Sequence, residues 1–391
     1  MTQSSNDSTT PQWQTDKAYT KGEKISYLGI NYIAAFWTQG DSPDQHYGEY
    51  GQPWKKLTGE VKPQKNNSTK NDTKTSQSGN PTSNRHLPDK MMVGYVDTTA
   101  IGACAAITEE QLTSYNVIIF GFTKTDGTLS ADTLDTIQKL RQKMSHNPIQ
   151  LISTGGAAGK LDLTENSITN LHKLIQEHSF DGIDLDLEES EIEITQLKKY
   201  IQSLKKTLNG EYVLTIAPIL AGSPQKPVLR IPNGGPSLAS IYEDIPFDAI
   251  LVQAYNSGLN FKYPKPGTPS QLVDESSADI IAASYNSLHQ TGDIHSDSLI
   301  VIGIPSNGGG APSQSNLWNS PDLSAVTHQI KSNFNEICDG EHAIDPIQFG
   351  GLMCWSLCTD AFPSAYHPYN GYENGPAGYF AEQVASLIKT H

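Results

Sequence analysis

The chain is poor in cysteine, and this limits the kinds of site it can build. It has four cysteines in 391 residues, Cys104, Cys338, Cys354 and Cys358. An even number permits disulfides without requiring them. No pair of His or Cys residues accompanies Cys354 and Cys358 at the spacing of a zinc site, so the cysteine pattern argues against structural zinc.

Basic residues are also scarce. There are 27 Lys and Arg against 42 Asp and Glu, which gives a formal net charge of -15. Such a surface repels nucleic acids and anionic membranes, so we expect neither as a partner. A neutral polymer such as a polysaccharide stays possible, and the 17 Tyr and five Trp offer flat rings that suit sugar stacking.

Long apolar runs are missing. No apolar stretch approaches the roughly 18 residues of a membrane-spanning helix. Residues 1–11 are polar and lack the hydrophobic run of a signal peptide. Three expectations are compatible with this: a signal that was removed, export by another route, or an intracellular protein.

A polar segment divides the chain. Residues 58–88 are rich in Lys, Asn, Ser, Thr, Gly and Pro and contain almost no aliphatic residues. Such a segment cannot bury enough surface to offset its ordering entropy. The composition therefore predicts a small module over 11–57, a flexible linker over 58–89 and a large domain over 90–391.

Three carboxylates at period two stand out within the large domain. Asp184, Asp186 and Glu188 alternate with large aliphatic residues in the segment 181–188. In a strand the acids would share one face, with neighbours about 7 Å apart, and their mutual repulsion would raise at least one pKa. A calcium loop is excluded because its sixth position needs Gly, and Glu189 stands there. Catalytic carboxylates are favoured, while a two-metal site of the nuclease type and a structural network stay open.

Eight short aliphatic runs recur along the large domain, and the stretches between them often have helical periodicity, as in 130–144, 167–178 and 193–208. Such runs predict parallel strands buried on both faces, and eight of them fit a (β/α)8 TIM barrel, with a doubly wound sheet as the alternative. The runs are 91–96, 117–122, 149–153, 180–187, 212–217, 247–253, 299–304 and 349–355.

Several polar and aromatic residues stand where these predicted strands end. Ser153, followed by Gly155 and Gly156, ends the third run, and Trp355 ends the eighth. Gln253, Tyr255 and Asn256 end the sixth. Because catalytic groups of such barrels cluster at the carboxyl ends of the strands, these residues and Glu188 are predicted to share one site.

The N-terminal block resembles the type-3 chitin-binding module, which comprises carbohydrate-binding families 5 and 12. The resemblance rests on Trp13, Tyr19-x2-Gly22, Tyr27-x-Gly29-x2-Tyr32-x-Ala34, Phe36-Trp37-Thr38-Gln39-Gly40-x2-Pro43 and Gly51-x-Pro53-Trp54. It implies a compact all-β module that lays exposed aromatic rings on chitin. The residues expected to contact chitin are Phe36 and Trp37.

The large domain resembles glycoside hydrolase family 18, the retaining chitinases. The motif Asp181-x2-Asp184-x-Asp186-x-Glu188 carries the resemblance, and Ser153-x-Gly155-Gly156 and Trp355 support it. Many members have Met-x-Tyr-Asp on the sixth strand, whereas this chain has Gln253-x-Tyr255-Asn256. That form is similar to plant-type and smaller bacterial members, and it removes one carboxylate near the scissile bond.

The row of acids supplies a general acid but no facing nucleophile, which points to attack by the acetamido oxygen of an N-acetyl sugar. Together with the resemblance, this gives each acid an expected role. Glu188 would be the acid and then the base, and Asp186 would bind the acetamido N–H. Asp184 would share a proton with Asp186, supported by Ser153 and Tyr95, which are also expected among the substrate-binding residues.

The remaining site residues have expected roles in substrate binding. Tyr255 would hold the acetamido oxygen, and Trp355 would stack beneath the sugar at the cleaved bond. Gln253 and Asn256 would complete the site. Neither a metal nor a cofactor is expected.

The predicted function is that of a secreted, monomeric chitinase acting on chitin and N-acetylglucosamine oligomers. The segment between the seventh and eighth strands, 305–348, leaves no room for an extra lobe, which predicts an open cleft and endo-type cleavage. Three alternatives stay open: an endo-β-N-acetylglucosaminidase acting on N-glycans, a chitin-binding lectin on an inactive barrel, and a metal-dependent nuclease.

Overall fold

The computed structural model describes residues 11–15, 17–27, 30–34, 38–39, 42–43, 54–56, 85–157, 159–223, 226–257, 261–369 and 371–390. The chain divides into two compact units, Met1–Ser78 and Gly79–His391. Most of the predicted linker lies outside the described residues, so the predicted domain boundaries stay a prediction.

The N-terminal unit is built from short antiparallel strands. Its strands are β1 (Ala18–Tyr19), β2 (Lys24–Tyr27), β3 (Ile30–Ala34), β4 (Thr38–Gln39) and β5 (Trp54–Lys56). Strands β2, β3 and β5 form one sheet, and β1 pairs with β4. The buried side chains are mostly aromatic: Tyr19, Ile25, Tyr32, Ala34 and Trp54. The predicted small all-β module is confirmed. Phe36 and Trp37 lie outside the described residues.

The large unit is a closed barrel of eight parallel strands. Each of the eight pairs with its two neighbours. The pairings of Val213–Ile216 with Ala249–Gln253 and of Phe349–Trp355 with Met91–Asp97 close the ring. This closure confirms the predicted barrel over a doubly wound sheet. The eight are β6 (Met91–Asp97), β7 (Val117–Gly121), β8 (Ile149–Gly155), β9 (Gly182–Asp186), β10 (Val213–Ile216), β13 (Ala249–Gln253), β16 (Leu299–Pro305) and β17 (Phe349–Trp355).

Two hairpins are added between barrel strands. One is β11 (Ile219–Ser223) with β12 (Lys226–Arg230), and the other is β14 (Tyr263–Lys265) with β15 (Thr268–Val273). By contrast, residues 306–348, all of them described, contain no strand. The connection between β16 and β17 therefore carries no additional α/β lobe.

Helices surround the barrel, and polar side chains define where several of them begin. Ser130, Thr164 and Asp322 each accept a hydrogen bond from a backbone N–H of the first turn. The helices are α1 (Ile101–Ala106), α2 (Glu109–Leu112), α3 (Ala131–Gln142), α4 (Glu165–Glu177), α5 (Ile194–Leu208), α6 (Ala239–Tyr242), α7 (Ile280–Thr291), α8 (Leu323–Cys338), α9 (Leu357–Ala361) and α10 (Tyr379–Gln383). Short 3-10 turns cover Glu341–Ala343, Pro363–Ala365 and Ala385–Thr390.

The alternation of side chains along each strand separates two apolar layers. Ile183, Leu185 and Leu187 belong to the large layer between sheet and helices. Residues such as Val93 and Ile119 belong to a smaller cluster that also contains Tyr95 and Tyr255. Since successive side chains of a strand point to opposite faces, the acids that alternate with the aliphatic residues of β9 face the interior of the barrel.

The described residues form no helix long and apolar enough to cross a membrane. They also contain no group of three or more His, Cys, Asp or Glu side chains arranged to hold a metal ion. All four cysteines are free thiols. Two of them, Cys104 on α1 and Cys358 on α9, lie with their Sγ atoms 3.5 Å apart.

Candidate active site

The buried carboxylate Asp184 lies at the centre of the site, and the strand register explains its contacts. In the parallel ladders Asp184 pairs with Ser153 on β8 and with Thr215 on β10. Paired residues of parallel neighbours point to the same face, so both hydroxyls reach the carboxylate. Ser153 Oγ donates to Asp184 Oδ2 at 2.6 Å, and Thr215 Oγ1 donates to Oδ1 at 2.6 Å.

A third hydroxyl completes this network. Tyr95 Oη, from β6 across the barrel, donates to Asp184 Oδ2 at 2.7 Å. Asp184 has no exposed surface. Burial raises the pKa of Asp184, and the three hydroxyl bonds offset part of that rise. Tyr95 and Ser153, predicted among the substrate-binding residues, thus lie against Asp184 in the layer beneath the cavity.

Asp186 lies one pleat further along β9 and is 4% exposed. Gln253 Nε2 donates to Asp186 Oδ1 at 3.0 Å and to the carbonyl oxygen of Ala217 at 2.9 Å. Burial raises the pKa of Asp186 well above its usual range, and the charges of Glu188 and Asp184 raise it further. Gln253 therefore orients the carboxylate, and the acid retains a proton more readily than an exposed Asp.

Glu188 follows the end of β9 and is half-buried. Burial raises the pKa of its carboxyl. A carboxylic acid with a raised pKa keeps its proton to higher pH, where it can donate that proton to a leaving group. The pair of Asp186 and Glu188 thus has the electrostatics of a proton-transfer site.

A cavity of about 350 Å³ opens beside these acids. It collects residues from the ends of β9 and β13, from the end of β17, and from loops around them. Its lining comprises Ala157, Asp186, Glu188, Ile219, Pro232, Asn233, Gln253, Tyr255, Asn256 and Trp355. Six of the nine site residues predicted for the barrel are in this lining, and the other three, Tyr95, Ser153 and Asp184, form the network beneath it.

Two aromatic residues complete the cavity wall and floor. Tyr255 is buried, and burial followed by the charges of Asp186 and Glu188 raises the pKa of its hydroxyl, so it stays a hydrogen-bond donor. The ring of Trp355 is half-buried and lies 5.7 Å from the ring of Tyr95, centre to centre. Phe122 supports Trp355 from another side at 6.3 Å.

Two residues that support the site, Thr215 and Glu275, are not marked by the sequence. Thr215 is an ordinary β-branched strand residue until the register places it on Asp184. Glu275 lies outside the barrel strands and accepts bonds from Ser257 N at 3.2 Å and Ser315 Oγ at 2.8 Å, so it ties the loop after Asn256 to the loop after β16. No periodic pattern in the sequence marks either role.

The first acid of the motif lies elsewhere. Asp181 precedes β9 at its amino end, where Asp181 Oδ2 accepts hydrogen bonds from Arg85 Nη1 at 3.1 Å and Gln150 N at 2.8 Å. Arg85 also donates to the carbonyl oxygens of Asn147 and Pro148. Asp181 thus anchors the entry to the barrel, while the later acids of the same motif face the cavity.

A glycine lets β8 approach the backbone of the acid strand. Gly155 has φ +103°, and a Cβ added there would lie 2.0 Å from the carbonyl oxygen of Asp186. The next residue, Gly156, donates its N–H to that same oxygen at 2.7 Å. The Ser-x-Gly-Gly sequence therefore fixes the backbone that carries Asp186.

We expect Gly155→Ala to lower the free energy of unfolding by about 3 kcal/mol or more, because the Cβ overlaps a backbone atom and the φ disfavours it. Denaturant unfolding of the full chain measures the change. Gly102→Ala is the control, since a Cβ at this helical position meets nothing within 4 Å. Equal stability of the two variants would contradict the close approach at Gly155.

Comparison with known proteins identifies both units. Residues 91–345 match the model of Glycosyl hydrolases family 18. The chain belongs to this family. Its residues 12–55 match Carbohydrate-binding module family 5/12. The predicted class, a glycoside hydrolase with an N-terminal carbohydrate-binding module, is confirmed at the level of the families.

Two relatives of this family 18 chain have low sequence identity to it. Chitinase D from Niallia circulans is 24% identical over 336 residues, which are 72% of this chain and 61% of that protein. The present chain thus spans less than two thirds of that relative. A family GH18 chitinase from Chromobacterium violaceum has 17% identity and a TM-score of 0.50, covering 97% of this chain and all of the other. At such identity the structural likeness shows the fold alone.

Proposed function

We propose that this family 18 chain is a chitinase that hydrolyses β-1,4 bonds between N-acetylglucosamine units with retention of configuration. One observation carries the proposal. Among the described residues that line the cavity, the acids are Asp186 and Glu188, and both come from the end of the same strand. The family 5/12 module supports chitin as the polymer.

The position of these acids supports one of two retaining mechanisms. A protein nucleophile needs a second carboxylate about 5 Å from the acid, on the opposite side of the sugar. Two acids spaced by one residue on one strand end do not provide that arrangement. The acetamido oxygen of the substrate therefore attacks C1 instead, which requires an N-acetyl group on the sugar that is cleaved.

The proposed reaction has three steps. Glu188 donates its proton to the glycosidic oxygen as the bond from C1 to that oxygen breaks and the acetamido oxygen bonds to C1. Asp186 accepts a hydrogen bond from the acetamido N–H and stabilises the positive charge of the cyclic intermediate. Glu188, now a carboxylate, takes a proton from water, whose oxygen attacks C1 and opens the ring.

The surrounding residues position the sugar. The Tyr255 hydroxyl donates to the acetamido oxygen, and the ring of Trp355 forms the floor beneath the sugar. Asp184 stays buried under its three hydroxyl donors. In this proposal it shares a proton with Asp186. Its network keeps the acid strand rigid, which preserves the spacing that the reaction needs.

The same proposal includes endo-type cleavage and secretion. The short connection between β16 and β17 supports an open cleft, into which the middle of a long chain can bind. A polymer substrate that is itself insoluble has to be met outside the cell.

The reaction products test both the retaining mechanism and endo-type cleavage. With chitin hexamer we expect mixed fragments from internal cuts, and initial products in the β-anomer, observed by NMR before mutarotation. A glucosamine hexamer without acetyl groups is the control, and it should stay intact because it lacks the attacking oxygen. Initial α-anomer would contradict the substrate-assisted route, and dimers released from one chain end alone would contradict endo cleavage. Glycan release from a glycoprotein with no cleavage of chitin hexamer would favour the N-glycan alternative.

A further inference from the structure

One wall of the cavity has no role in the steps above. It is formed by the turn 231–235, which follows the β11–β12 hairpin, and Pro232 and Asn233 of this turn line the cavity together with Glu188 and Trp355. We call residues 231–235 the wall turn. Asn233 is the polar side chain of this wall.

The wall turn is held by an arginine. Arg230 Nη2 donates to the carbonyl oxygens of Gly235 at 2.7 Å and Gly234 at 3.2 Å, and Arg230 Nε donates to Gly235 O at 2.9 Å. The backbone N–H of Ile231 also bonds to the carbonyl oxygen of Pro236 at 3.0 Å. These bonds fix the turn from both ends, so Asn233 at its tip has a defined place.

Asn233 has a left-handed backbone conformation and an exposed side chain. Its φ is +56°, a left-handed conformation that Asn tolerates better than most residues. The side chain is exposed. Among the residues that the structure describes, none forms a hydrogen bond with its amide. The amide of Asn233 is therefore available to a molecule bound in the cavity.

We propose that Asn233 is a substrate-binding residue that hydrogen-bonds the hydroxyls of a sugar unit bound beside Glu188, and that Arg230 is its positioning residue. The inference rests on the proposed function. An amide both donates and accepts, as sugar hydroxyls do. It is also neutral, so it adds a polar contact without altering the ionisation of Asp186 and Glu188.

The test compares two matched glycine substitutions. Asn233→Gly removes the amide while glycine keeps the positive φ without strain. Asn209→Gly is the control, because Asn209 is also exposed, has φ 52°, and caps α5 away from the cavity. We expect Asn233→Gly to reduce kcat/KM for chitin hexamer about tenfold, mainly through KM, and Asn209→Gly to leave it unchanged.

Calorimetry separates this inference from the proposed function. The dissociation constant of chitin hexamer is measured in the Glu188→Gln background, because this variant is expected to bind the hexamer without cleaving it. There Asn233→Gly should weaken binding about tenfold. Unchanged affinity would overturn the role of Asn233 even if the wild-type enzyme cleaves chitin. If Asn233→Gly weakens binding about tenfold but the wild type does not cleave chitin hexamer, the proposed reaction is overturned and the contact of Asn233 with the sugar is supported.

Arg230→Lys tests the positioning role. Lysine keeps the charge but loses the planar fork that bonds two carbonyl oxygens. When Asn233 is present, Arg230→Lys should lower the affinity for chitin hexamer. In the Asn233→Gly variant, Arg230→Lys should cause no further loss of affinity. Equal losses in both backgrounds would show a structural role for Arg230 and overturn this part of the inference.

Discussion

Glu188→Gln should lower kcat on N-acetylglucosamine oligomers by about 10³-fold or more and leave oligomer affinity nearly unchanged. Glutamine has almost the same shape, so the cavity keeps its lining. Its amide cannot donate a proton to the leaving oxygen or take one from water, which removes both roles of Glu188 in one change. Product release followed by chromatography gives kcat, and calorimetry gives the affinity.

The neighbouring residue provides the matched control. Glu189 pairs with Lys160 at 2.6 Å and lies outside the cavity lining. Glu189→Gln therefore removes the same charge one position along the chain and should keep wild-type turnover. A near wild-type rate for Glu188→Gln would refute its assignment as the acid. Loss of activity in both variants alike would show that the local backbone, not the proton, was disturbed.

Much of the fold was predictable because apolar runs report burial. All eight predicted runs correspond to barrel strands, and their alternation with helices implied a parallel barrel. Strand ends were less predictable. The fourth run was predicted over 180–187, yet the strand is Gly182–Asp186. Phe180 and Leu187 are apolar and buried in the core, but they lie outside the ladder, because burial and strand pairing are separate properties.

The hairpins β11–β12 and β14–β15 were not predicted. Strand β15, Thr268–Val273, is exposed over five of its six residues, so it has no alternation of buried and exposed side chains to detect. The wall turn follows the first hairpin, and for that reason Asn233 was missing from the predicted site. Loops outside the repeating barrel pattern are positioned by specific bonds, such as those of Arg230, that a single sequence does not display.

The acid row was predictable for a different reason. Its period of two matches the period of a strand, so position in the sequence translates directly into a shared face. The hydrogen-bond partners of Asp184 depend instead on the register between strands. Ser153 and Thr215 are each 31 residues away from Asp184 in the sequence. Ser153 could be predicted because Gly155 and Gly156 follow it. Thr215 could not, because no neighbouring motif distinguishes it from other strand residues.

The second large effect concerns Asp186. Asp186→Asn should lower kcat by about 10²-fold or more, since the amide cannot stabilise the positive charge of the intermediate as a carboxylate does. It should also shift the alkaline limb of the pH–rate profile to lower pH. Burial raises the pKa values of both acids, and the charge of Glu188 raises the pKa of Asp186 further. Because repulsion between two charges acts on both of them, we expect the charge of Asp186 to hold the proton on Glu188 as well. Without the charge at 186, Glu188 ionises more easily and loses its acidic form at lower pH.

Asp181→Asn is the matched control for that profile. It makes the same substitution in the same motif, but at the amino end of β9, where Asp181 bonds to Arg85 rather than facing the cavity. We expect a lower Tm for Asp181→Asn and an unchanged pH profile, because its charge is remote from Glu188. If Asp186→Asn left the alkaline limb in place, or moved it to higher pH, the charge of Asp186 would not govern the proton of Glu188. The two acids would then act independently, and the raised pKa of Glu188 would be due to burial alone.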